Sequence, residues 1–444
     1  MNIAIFILII LCIVLILLLF YASLQYHQST LPQDLTISKD ESNLYNLYTL
    51  IKTIPLNDYS FIIFKILHFD AIHELYNEEE EISLLEFIKT KIPCRENEFC
   101  EYESNGIFLM FMKGERSSLS KRLKQFQEAI RFYEYNEMEG YEITITIGVY
   151  RIEDKDENIL HMKQKARIAL KQADHKGPNT IKFYSQRMRQ MQLKAIELEQ
   201  SMSYGLKHNQ FIVYIQPQIN PQTNKVVAGE ALIRWHHPVF GILMPDQFIE
   251  LFEKNGTITK LDCYVLEKVC SFISEYKLLI RIAINISTNS LFKIDMVETY
   301  QRIMRMYSIN SDQIEIELCE QTMLQPISLV KQKMLELKQN GFHIAIDDFG
   351  SGTSTLNKLK EVPFDVLKLD KVFLQNENEK GRMIMSDMIK LCKHLNIECV
   401  AEGVEEKQQV IFLMKAGVDR LQGFYYAKAM TLPLFLEYLN KYNK

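Results

Sequence analysis

Short apolar segments alternate with helical stretches throughout residues 205–444, and this alternation limits the fold more than any other feature of the chain. Eight segments have the length and composition of buried strands: 211–216, 226–233, 281–286, 314–318, 343–347, 365–369, 397–401 and 418–422. Eight strands with intervening helices predict an α/β domain, a TIM-like (β/α)8 barrel. In such a barrel the functional residues are expected at the carboxyl ends of the strands.

Polar side chains stand at, or just beyond, the ends of seven of these predicted strands. They are Glu230, Asn285, Glu317, Asp347, Lys368, Glu402 and Gln422. Alternation along a strand places Glu317 on the face opposite Ile316 and Leu318, and it points Lys368 into the barrel. We therefore expect the seven side chains to converge at one end of the barrel.

Several carboxylates in one cavity repel one another unless cations compensate their charge. Oxygen ligands from Asp, Glu and Asn, without His or Cys, favour Mg²⁺ or Mn²⁺ over zinc. Asp347 and Asp348 can both reach metal ions only if the backbone turns there, and Gly350 and Gly352 allow such a turn. Taken singly, each residue also has a structural explanation, such as a cap for Asn285. Their coincidence at successive strand ends favours a site that activates water for attack on a phosphodiester.

The segment Glu230-Ala231-Leu232 resembles the signature of EAL-domain cyclic di-GMP phosphodiesterases. Further resembling segments follow in the family's order across about residues 205–440. They are Gln216-Pro217, Asn285-Ile286-Ser287, Glu317-Leu318-Cys319-Glu320, Asp347-Asp348-Phe349-Gly350, Lys368-Leu369-Asp370, Glu402-Gly403-Val404-Glu405 and Gln422-Gly423. An ordered set of this kind is far more specific than the three letters alone. The departures, at Cys319, Thr353 and Lys428-Ala429, remove no metal ligand.

The resemblance implies metal-dependent hydrolysis of cyclic di-GMP to linear pGpG with two Mg²⁺ or Mn²⁺ ions. It implies one ion on Glu230, Asn285, Glu317 and Asp347, and a second on Asp347, Asp348 and Glu402. It implies catalytic roles for Lys368, which would position or activate the attacking water, and for Glu230 and Glu402. It implies substrate contacts by Gln216, Arg234 and Gln422, and support of the metal loop by Glu320 and Glu405.

Two other interpretations of the barrel stay open. It could be a catalytically inactive receptor that binds cyclic di-GMP and signals through a linker helix, or a scaffold for a protein partner. The net charge of -5 gives no overall attraction to a nucleic-acid polymer, so we expect no such partner. The eight cysteines show no pair at zinc-site spacing, which favours a reduced, cytosolic environment.

Residues 1–24 are the clearest compositional anomaly, because Ile3 to Phe20 is uninterrupted apolar sequence. This predicts a transmembrane helix, rather than a cleaved signal peptide with its basic start and shorter apolar core. A polar juxtamembrane linker is predicted at 25–44. The first Lys is Lys39 and the first Arg is Arg95, so the positive-inside rule does not orient the helix. Because the expected substrate is cytosolic, we expect a single-pass cell-membrane protein with cytoplasmic soluble domains.

Residues 45–185 alternate between strand-like and helical patterns and predict an α+β domain, which residues 186–204 connect to the barrel as a helix. Asn105-Gly106 predicts a hairpin turn. The domain resembles a GGDEF, or diguanylate cyclase, domain whose signature here reads Glu103-Ser104-Asn105-Gly106-Ile107. Lys65 stands where that family has a metal-binding Asp, and a cation there would repel Mg²⁺. We therefore expect a degenerate GGDEF domain without cyclase activity. GTP is a candidate ligand of this domain, and we also expect the protein to form a homodimer.

Overall fold

The computed structural model describes residues 58–75, 78–136, 139–153, 157–293, 295–350, 360–375 and 379–443. The chain divides into two compact units, Met1–Leu193 and Lys194–Lys444. The membrane helix predicted at 1–24 and the linker predicted at 25–44 lie outside the described residues. Within the described ranges, no helix combines the length and the apolar character needed to cross a bilayer.

The first unit is built on a five-stranded sheet with helices on both faces. Its strands are β1 (Tyr59–Ile66), β2 (Phe99–Ser104), β3 (Ile107–Lys113), β4 (Phe132–Asn136), β5 (Glu139–Glu142), β6 (Ile145–Arg151) and β7 (Ile181–Phe183). Its helices are α1 (Phe69–Leu75), α2 (Glu78–Lys91), α3 (Arg116–Ile130) and α4 (Ile159–Lys176), and α5 (Gln186–Lys207) contains the boundary between the units. The sheet order is β2-β3-β1-β6-β7, in which β7 runs parallel to β6 and the other neighbours are antiparallel. Strands β4 and β5 pair with each other in a separate two-stranded sheet.

Strand alternation separates two cores on either side of this sheet. Ile62 and Phe64 of β1 face one core, to which α3 contributes, while Phe61 and Ile63 face the other, to which α4 contributes. The hairpin between β2 and β3 turns at Asn105 and Gly106, as predicted. Asn105 has φ 46° and Gly106 has φ 70°, in the left-handed region that Asn and Gly adopt at low cost.

The second unit contains ten strands, eight of which close into a barrel. Its strands are β8 (Phe211–Asn220), β9 (Lys225–His237), β10 (Gly241–Leu243), β11 (Arg281–Ile286), β12 (Ile314–Cys319), β13 (His343–Phe349), β14 (Val366–Leu369), β15 (Glu398–Ala401), β16 (Arg420–Leu421) and β17 (Met430–Thr431). Its helices are α6 (Ile249–Lys254), α7 (Ile258–Tyr276), α8 (Thr288–Leu291), α9 (Met296–Met306), α10 (Ile327–Gln339), α11 (Val372–Gln375), α12 (Glu379–His394), α13 (Lys407–Ala416) and α14 (Leu432–Tyr442). The barrel order is β8-β9-β11-β12-β13-β14-β15-β16, and β8 closes it by pairing with both β9 and β16.

The barrel departs from the expected (β/α)8 pattern at its first strand. Strand β8 is antiparallel to both neighbours, whereas the other seven barrel strands, β9 and β11 to β16, are parallel to one another. The cause is local. Asn220 Oδ1 accepts hydrogen bonds from the amides of Gln222 (2.9 Å) and Thr223 (3.0 Å), so that β8 returns directly into β9. Such a short turn has no room for the crossover helix that a parallel connection needs.

Alternation within each strand decides what faces the helices and what faces the barrel interior. In β12, Ile314, Ile316 and Leu318 are fully buried in the apolar core between barrel and helices. Between them, Glu315 and Glu317 are also fully buried and face the interior. The interior therefore holds polar layers that are closed off from solvent by the strands themselves.

Candidate active site

Five carboxylates gather at the carboxyl ends of the parallel strands, and we call them the acidic cluster. They are Glu230 on β9, Glu317 on β12, Asp347 and Asp348 on β13, and Glu402 directly after β15. They fall into two groups whose oxygens lie within 4.8 Å of one another: Glu230, Glu317 and Asp347, and Asp347, Asp348 and Glu402. Asp347 belongs to both groups, which is the arrangement expected of a carboxylate between two cations.

Lys368 of β14 lies in the middle of the acidic cluster and is fully buried. Its Nζ atom lies near one oxygen of each of four carboxylates: Glu317 Oε1 at 2.8 Å, Glu402 Oε1 at 2.9 Å, Asp347 Oδ1 at 3.0 Å and Glu230 Oε2 at 3.3 Å. These contacts are short, but their angles lie outside the range of hydrogen bonds. Among the described residues, neither Lys368 Nζ nor Glu317 Oε1 has a partner at hydrogen-bond angles.

One ammonium does not neutralise this much buried negative charge. Burial, and after it the charges of Asp347 and Glu230, raise the pKa of Glu402 to about 8 in spite of Lys368. Burial, then Asp347, raises the pKa of Asp348 to about 6. Burial and the charge of Glu230 raise the pKa of Glu317 well above its usual range. Without further positive charge, part of the cluster is therefore protonated near neutral pH.

Glu230 behaves differently from the other members of the cluster. Burial would raise its pKa, but Lys368 and hydrogen bonds from Gln422 and Asn285 outweigh burial and lower it. Asn285 Nδ2 donates to Glu230 Oε1 at 2.9 Å and to Glu317 Oε2 at 3.1 Å. Asn285 thus turns its amide nitrogen towards the cluster, and it would have to rotate its amide to offer Oδ1 to a cation.

These residues fit a pair of hard divalent cations. The donors are carboxylate oxygens and one amide, which is the ligand chemistry of Mg²⁺ and Mn²⁺. Glu317 Oε1 is buried without a hydrogen bond from any described residue, so it has unused acceptor capacity inside the cluster. Burial, and after it repulsion between neighbouring carboxylates, raises the pKa values of Glu317, Asp347, Asp348 and Glu402, and bound cations would relieve that repulsion.

A sharp turn at the end of β13 brings the carboxylate of Asp348 close to that of Asp347. Asp348 has φ 55° and its amide donates to Asp347 Oδ1 at 2.8 Å. Gly350 follows with φ 99°, and a Cβ atom there would lie 2.1 Å from the ring of Phe373. Glu320 Oε2 accepts a hydrogen bond from the Gly350 amide at 3.0 Å, so Glu320 braces the start of this loop.

The rest of the loop, residues 351–359, lies outside the described residues, and so does Gly352. Glu405, predicted to support the same loop, is exposed, and its amide donates to Gln409 Oε1 at 2.8 Å. The structure therefore places Glu320 against the described part of the loop and leaves the role of Glu405 a prediction.

The predicted substrate-binding residues lie beside the cluster and above it. Gln422 Nε2 donates to Glu230 Oε2 and, at 3.3 Å, to Gln216 Oε1. Arg234 shares the inward face of β9 with Glu230 but stands further towards the rim. It is partly exposed, its Nη1 atom donates to the Ile233 carbonyl at 2.8 Å, and its guanidinium lies 5.8 Å from the Tyr214 ring. Arg234 is therefore placed to meet a ligand entering the barrel.

A second polar layer, not predicted from the sequence, lies below the cluster. Gln218, Glu315 and Arg420 lie on the inward faces of β8, β12 and β16, two residues from Gln216, Glu317 and Gln422 respectively. Strand period alone indicates Gln218, because Gln216 and Gln218 share a face. The same period relates Arg420 to Gln422, but it does not indicate that Arg420 pairs with Glu315.

The sequence model of the EAL domain matches residues 199–429, which is more than half of the chain. The chain belongs to the EAL domain family. The EAL domain comprises the barrel and all members of the acidic cluster.

Several known proteins are similar to this EAL-domain chain. The cyclic di-GMP phosphodiesterase NbdA of Pseudomonas aeruginosa is 28% identical over 306 residues, which cover 68% of this chain and 39% of NbdA. The bifunctional diguanylate cyclase/cyclic di-GMP phosphodiesterase MucR of the same organism is 28% identical over 297 residues, which cover 65% of this chain and 43% of MucR. The chain thus spans less than half the length of these two relatives.

The solved structure of the PaMucR phosphodiesterase in complex with c-di-GMP resembles the barrel. It has a TM-score of 0.52 and 29% sequence identity, and the match covers 54% of this chain and 99% of that one. The match supports the EAL fold.

Proposed function

We propose that the EAL domain hydrolyses cyclic di-GMP to linear pGpG with two divalent cations. The observation that carries the proposal is Asp347, which lies in both carboxylate groups of the acidic cluster. The relatives support the substrate, since NbdA and MucR are both cyclic di-GMP phosphodiesterases and the PaMucR phosphodiesterase was solved with c-di-GMP. The family, the cluster and these relatives indicate the same reaction class, hydrolysis of a phosphodiester.

Each predicted ligand would hold a cation within its group. Glu230, Glu317 and Asp347 would bind the first ion, together with Asn285 after rotation of its amide. Asp347, Asp348 and Glu402 would bind the second. Bound Mg²⁺ or Mn²⁺ would lower the pKa of a water molecule and neutralise charge on the attacking and leaving oxygens.

The remaining residues orient the reactants and handle charge. Lys368 touches four carboxylates and keeps a positive charge beside the place where a water would attack. These neighbouring carboxylates raise the pKa of the Lys368 ammonium in spite of its burial, so the ammonium stays charged. Arg234 stands at the rim, where a phosphate of the substrate would enter, and a guanidinium binds phosphate in a bidentate manner. Gln216 and Gln422 offer amide groups beside Glu230 for the placement of substrate or water.

A steady-state assay tests the reaction. The purified full-length chain should convert cyclic di-GMP to pGpG with Mg²⁺ or Mn²⁺ and lose the activity with a chelator, and Glu230→Ala should abolish turnover. The alternative, an inactive receptor, predicts that the wild-type chain binds cyclic di-GMP without producing pGpG under any of these conditions. Every carboxylate of both groups is in place, which favours turnover.

We also propose that the first unit is a degenerate GGDEF domain. The altered signature Glu103-Ser104-Asn105-Gly106-Ile107, which turns at Asn105 and Gly106, supports this. Glu103, in the altered signature, is paired with Lys163 and lies 3.0 Å from Arg167 Nη2, both on α4. The purified chain should make no cyclic di-GMP from GTP, and titration calorimetry would show whether GTP binds.

We further propose that residues 1–24 anchor the protein in the cell membrane, with both units in the cytoplasm and the chain as a homodimer. The uninterrupted apolar sequence from Ile3 to Phe20 supports the anchor. A reporter at the carboxyl terminus should be active only in the cytosol. Sedimentation of the detergent-solubilised chain should give the mass of a dimer, and a monomer would contradict that part of the proposal.

A further inference from the structure

The acidic cluster rests on the polar layer of Gln218, Glu315 and Arg420 inside the barrel. Arg420 is 4% exposed, while Gln218 and Glu315 are fully buried. The guanidinium of Arg420 is fixed by Glu315, with Nη2 at 2.9 Å from Oε2 and Nη1 at 3.2 Å from Oε1. Because Glu315 and Arg420 are a buried, bidentate pair, the guanidinium has one orientation.

From Arg420 a chain of hydrogen bonds leads to the cluster. Arg420 Nη1 donates to Gln218 Oε1 at 2.7 Å, and Gln218 Nε2 donates to Gln422 Oε1 at 2.9 Å. Gln422 Nε2 then donates to Glu230 Oε2. The chain thus joins the interior ion pair to a carboxylate of the acidic cluster.

This chain has only one possible direction. A guanidinium donates and never accepts, so Gln218 must turn its oxygen to Arg420 and its nitrogen to Gln422. Gln422 must then turn its oxygen to Gln218 and its nitrogen to Glu230. The contacts of Gln216 are consistent with this direction. Gln216 Nε2 donates to the Ala427 carbonyl at 3.1 Å, which leaves Gln216 Oε1 to accept from Gln422 at 3.3 Å.

We propose that Arg420 and Gln218 are positioning residues that fix this direction and so make Gln422 present its N–H groups to Glu230. The N–H donor holds the Glu230 carboxylate in one orientation, as outer hydrogen-bond partners orient the ligands of a metal ion. The consequence for cation binding rests on the proposed function, whereas the direction of the chain does not. Neither Gln218 nor Arg420 touches the acidic cluster's cation-binding oxygens in the described contacts, so both act through Gln422.

Two substitutions of Gln218 in the full-length chain test the proposal. Gln218→Met removes both hydrogen bonds and leaves Gln422 held by Glu230 and Gln216. Gln218→Glu keeps the shape and the bond to Arg420 but sets a second acceptor against Gln422 Oε1. Titration calorimetry with Mn²⁺ should show affinity falling by about 10- to 100-fold in Gln218→Glu and by less in Gln218→Met.

The opposite order would overturn the proposal. An added negative charge near the cluster should by simple electrostatics tighten Mn²⁺ binding, so equal or tighter binding by Gln218→Glu than by Gln218→Met excludes a directed chain. A wild-type protein that binds no Mn²⁺ would refute the proposed function. A second measurement would then decide the direction of the hydrogen bonds.

That measurement is NMR of the metal-free wild type labelled with ¹⁵N-glutamine. The Gln422 side-chain amide, assigned by its loss in Gln422→Met, should exchange its protons with water far more slowly than exposed Gln325. Gln218→Glu should speed this exchange. If wild-type Gln422 exchanges as fast as Gln325, the directed chain does not exist, whatever the cation affinity.

Discussion

The mouth of the barrel, where the acidic cluster lies, and the β2–β3 hairpin of the first unit both contain acidic side chains. The nearby positive charges neutralise these side chains to different extents. At the mouth, Lys368 contacts four of the five carboxylates, and the pKa values of Glu317, Asp347, Asp348 and Glu402 are raised. At the hairpin, Glu103 alone meets two cations, Lys163 and Arg167. The mouth has an excess of negative charge, whereas two cations offset the charge of Glu103.

The difference shows where a cation can still gain binding energy. At the mouth, a divalent ion would relieve repulsion between buried carboxylates, so its binding is coupled to the loss of protons. At the hairpin, the basic side chains of α4 already take the place of such an ion. Substitutions in the acidic cluster should therefore have larger effects than substitutions at the hairpin.

Asp347→Ala should reduce hydrolysis of cyclic di-GMP most, by roughly 10⁴-fold, as is typical when one member of a catalytic unit is removed. The reason is that Asp347 belongs to both carboxylate groups. Initial rates with saturating Mn²⁺ measure the loss. Glu336→Ala, on helix α10 in an ion pair with Lys333, is the matched control and should keep wild-type activity. Substantial turnover by Asp347→Ala would mean that the two groups do not act together.

Lys368→Met should destabilise the metal-free protein by about 3–5 kcal/mol, because it leaves buried carboxylates uncompensated. Saturating Mn²⁺ should recover part of this loss, since the ions replace the missing charge. The fluorescence of Trp235, the single tryptophan and fully buried in the second unit, follows urea unfolding.

Lys390→Met serves as the control, because Lys390 lies in an exposed pair with Asp387. A Lys368→Met loss that is the same with and without Mn²⁺ would show that the cluster has no affinity for the ion in this variant.

Asp262 provides a third case, a buried carboxylate held by neutral donors. Ser290 Oγ donates to it at 2.6 Å, and the Oγ and amide of Ser287 donate at 2.8 and 3.1 Å. Burial nevertheless raises the pKa of Asp262 from 3.8 to about 6. Its contribution to stability is therefore full below pH 3.8 and is lost as the pH rises through about 6.

Asp262→Asn should remove this dependence. The free energy of unfolding of the variant, relative to wild type, should increase by about 3 kcal/mol as the pH rises across that window. Urea titrations at several pH values, again followed by Trp235, give the difference. A constant difference across the window would show that Asp262 ionises normally in the folded protein.

Glu103→Gln should have the smallest effect, about 1 to 2 kcal/mol, because the Gln oxygen can still accept from the mostly buried Lys163 and the Arg167 side chain is 52% exposed. Hydrogen exchange of residues 99–113 should change slightly in the variant and should not respond to millimolar Mg²⁺ in either protein. Protection by Mg²⁺ that depends on Glu103 would instead reveal a retained metal site in the hairpin.

Much of this protein is determined by local sequence. The period of two in β12 separates Ile316 and Leu318 from Glu317, and Lys368 lies inside the barrel because Leu367 and Leu369 face the helices. The turn at Asn105-Gly106 follows from residues that tolerate positive φ. These features depend on neighbours along the chain, so a single sequence suffices to predict them.

Closure of the barrel decided the rest. The reversal of β8 places Gln216 opposite Glu230, and the four contacts of Lys368 exist only because strands distant in sequence end together. The pair of Arg420 with Glu315 joins residues 105 positions apart. Strand period gives the direction of a side chain but not its partner, because the partner depends on which strands become neighbours when the sheet closes.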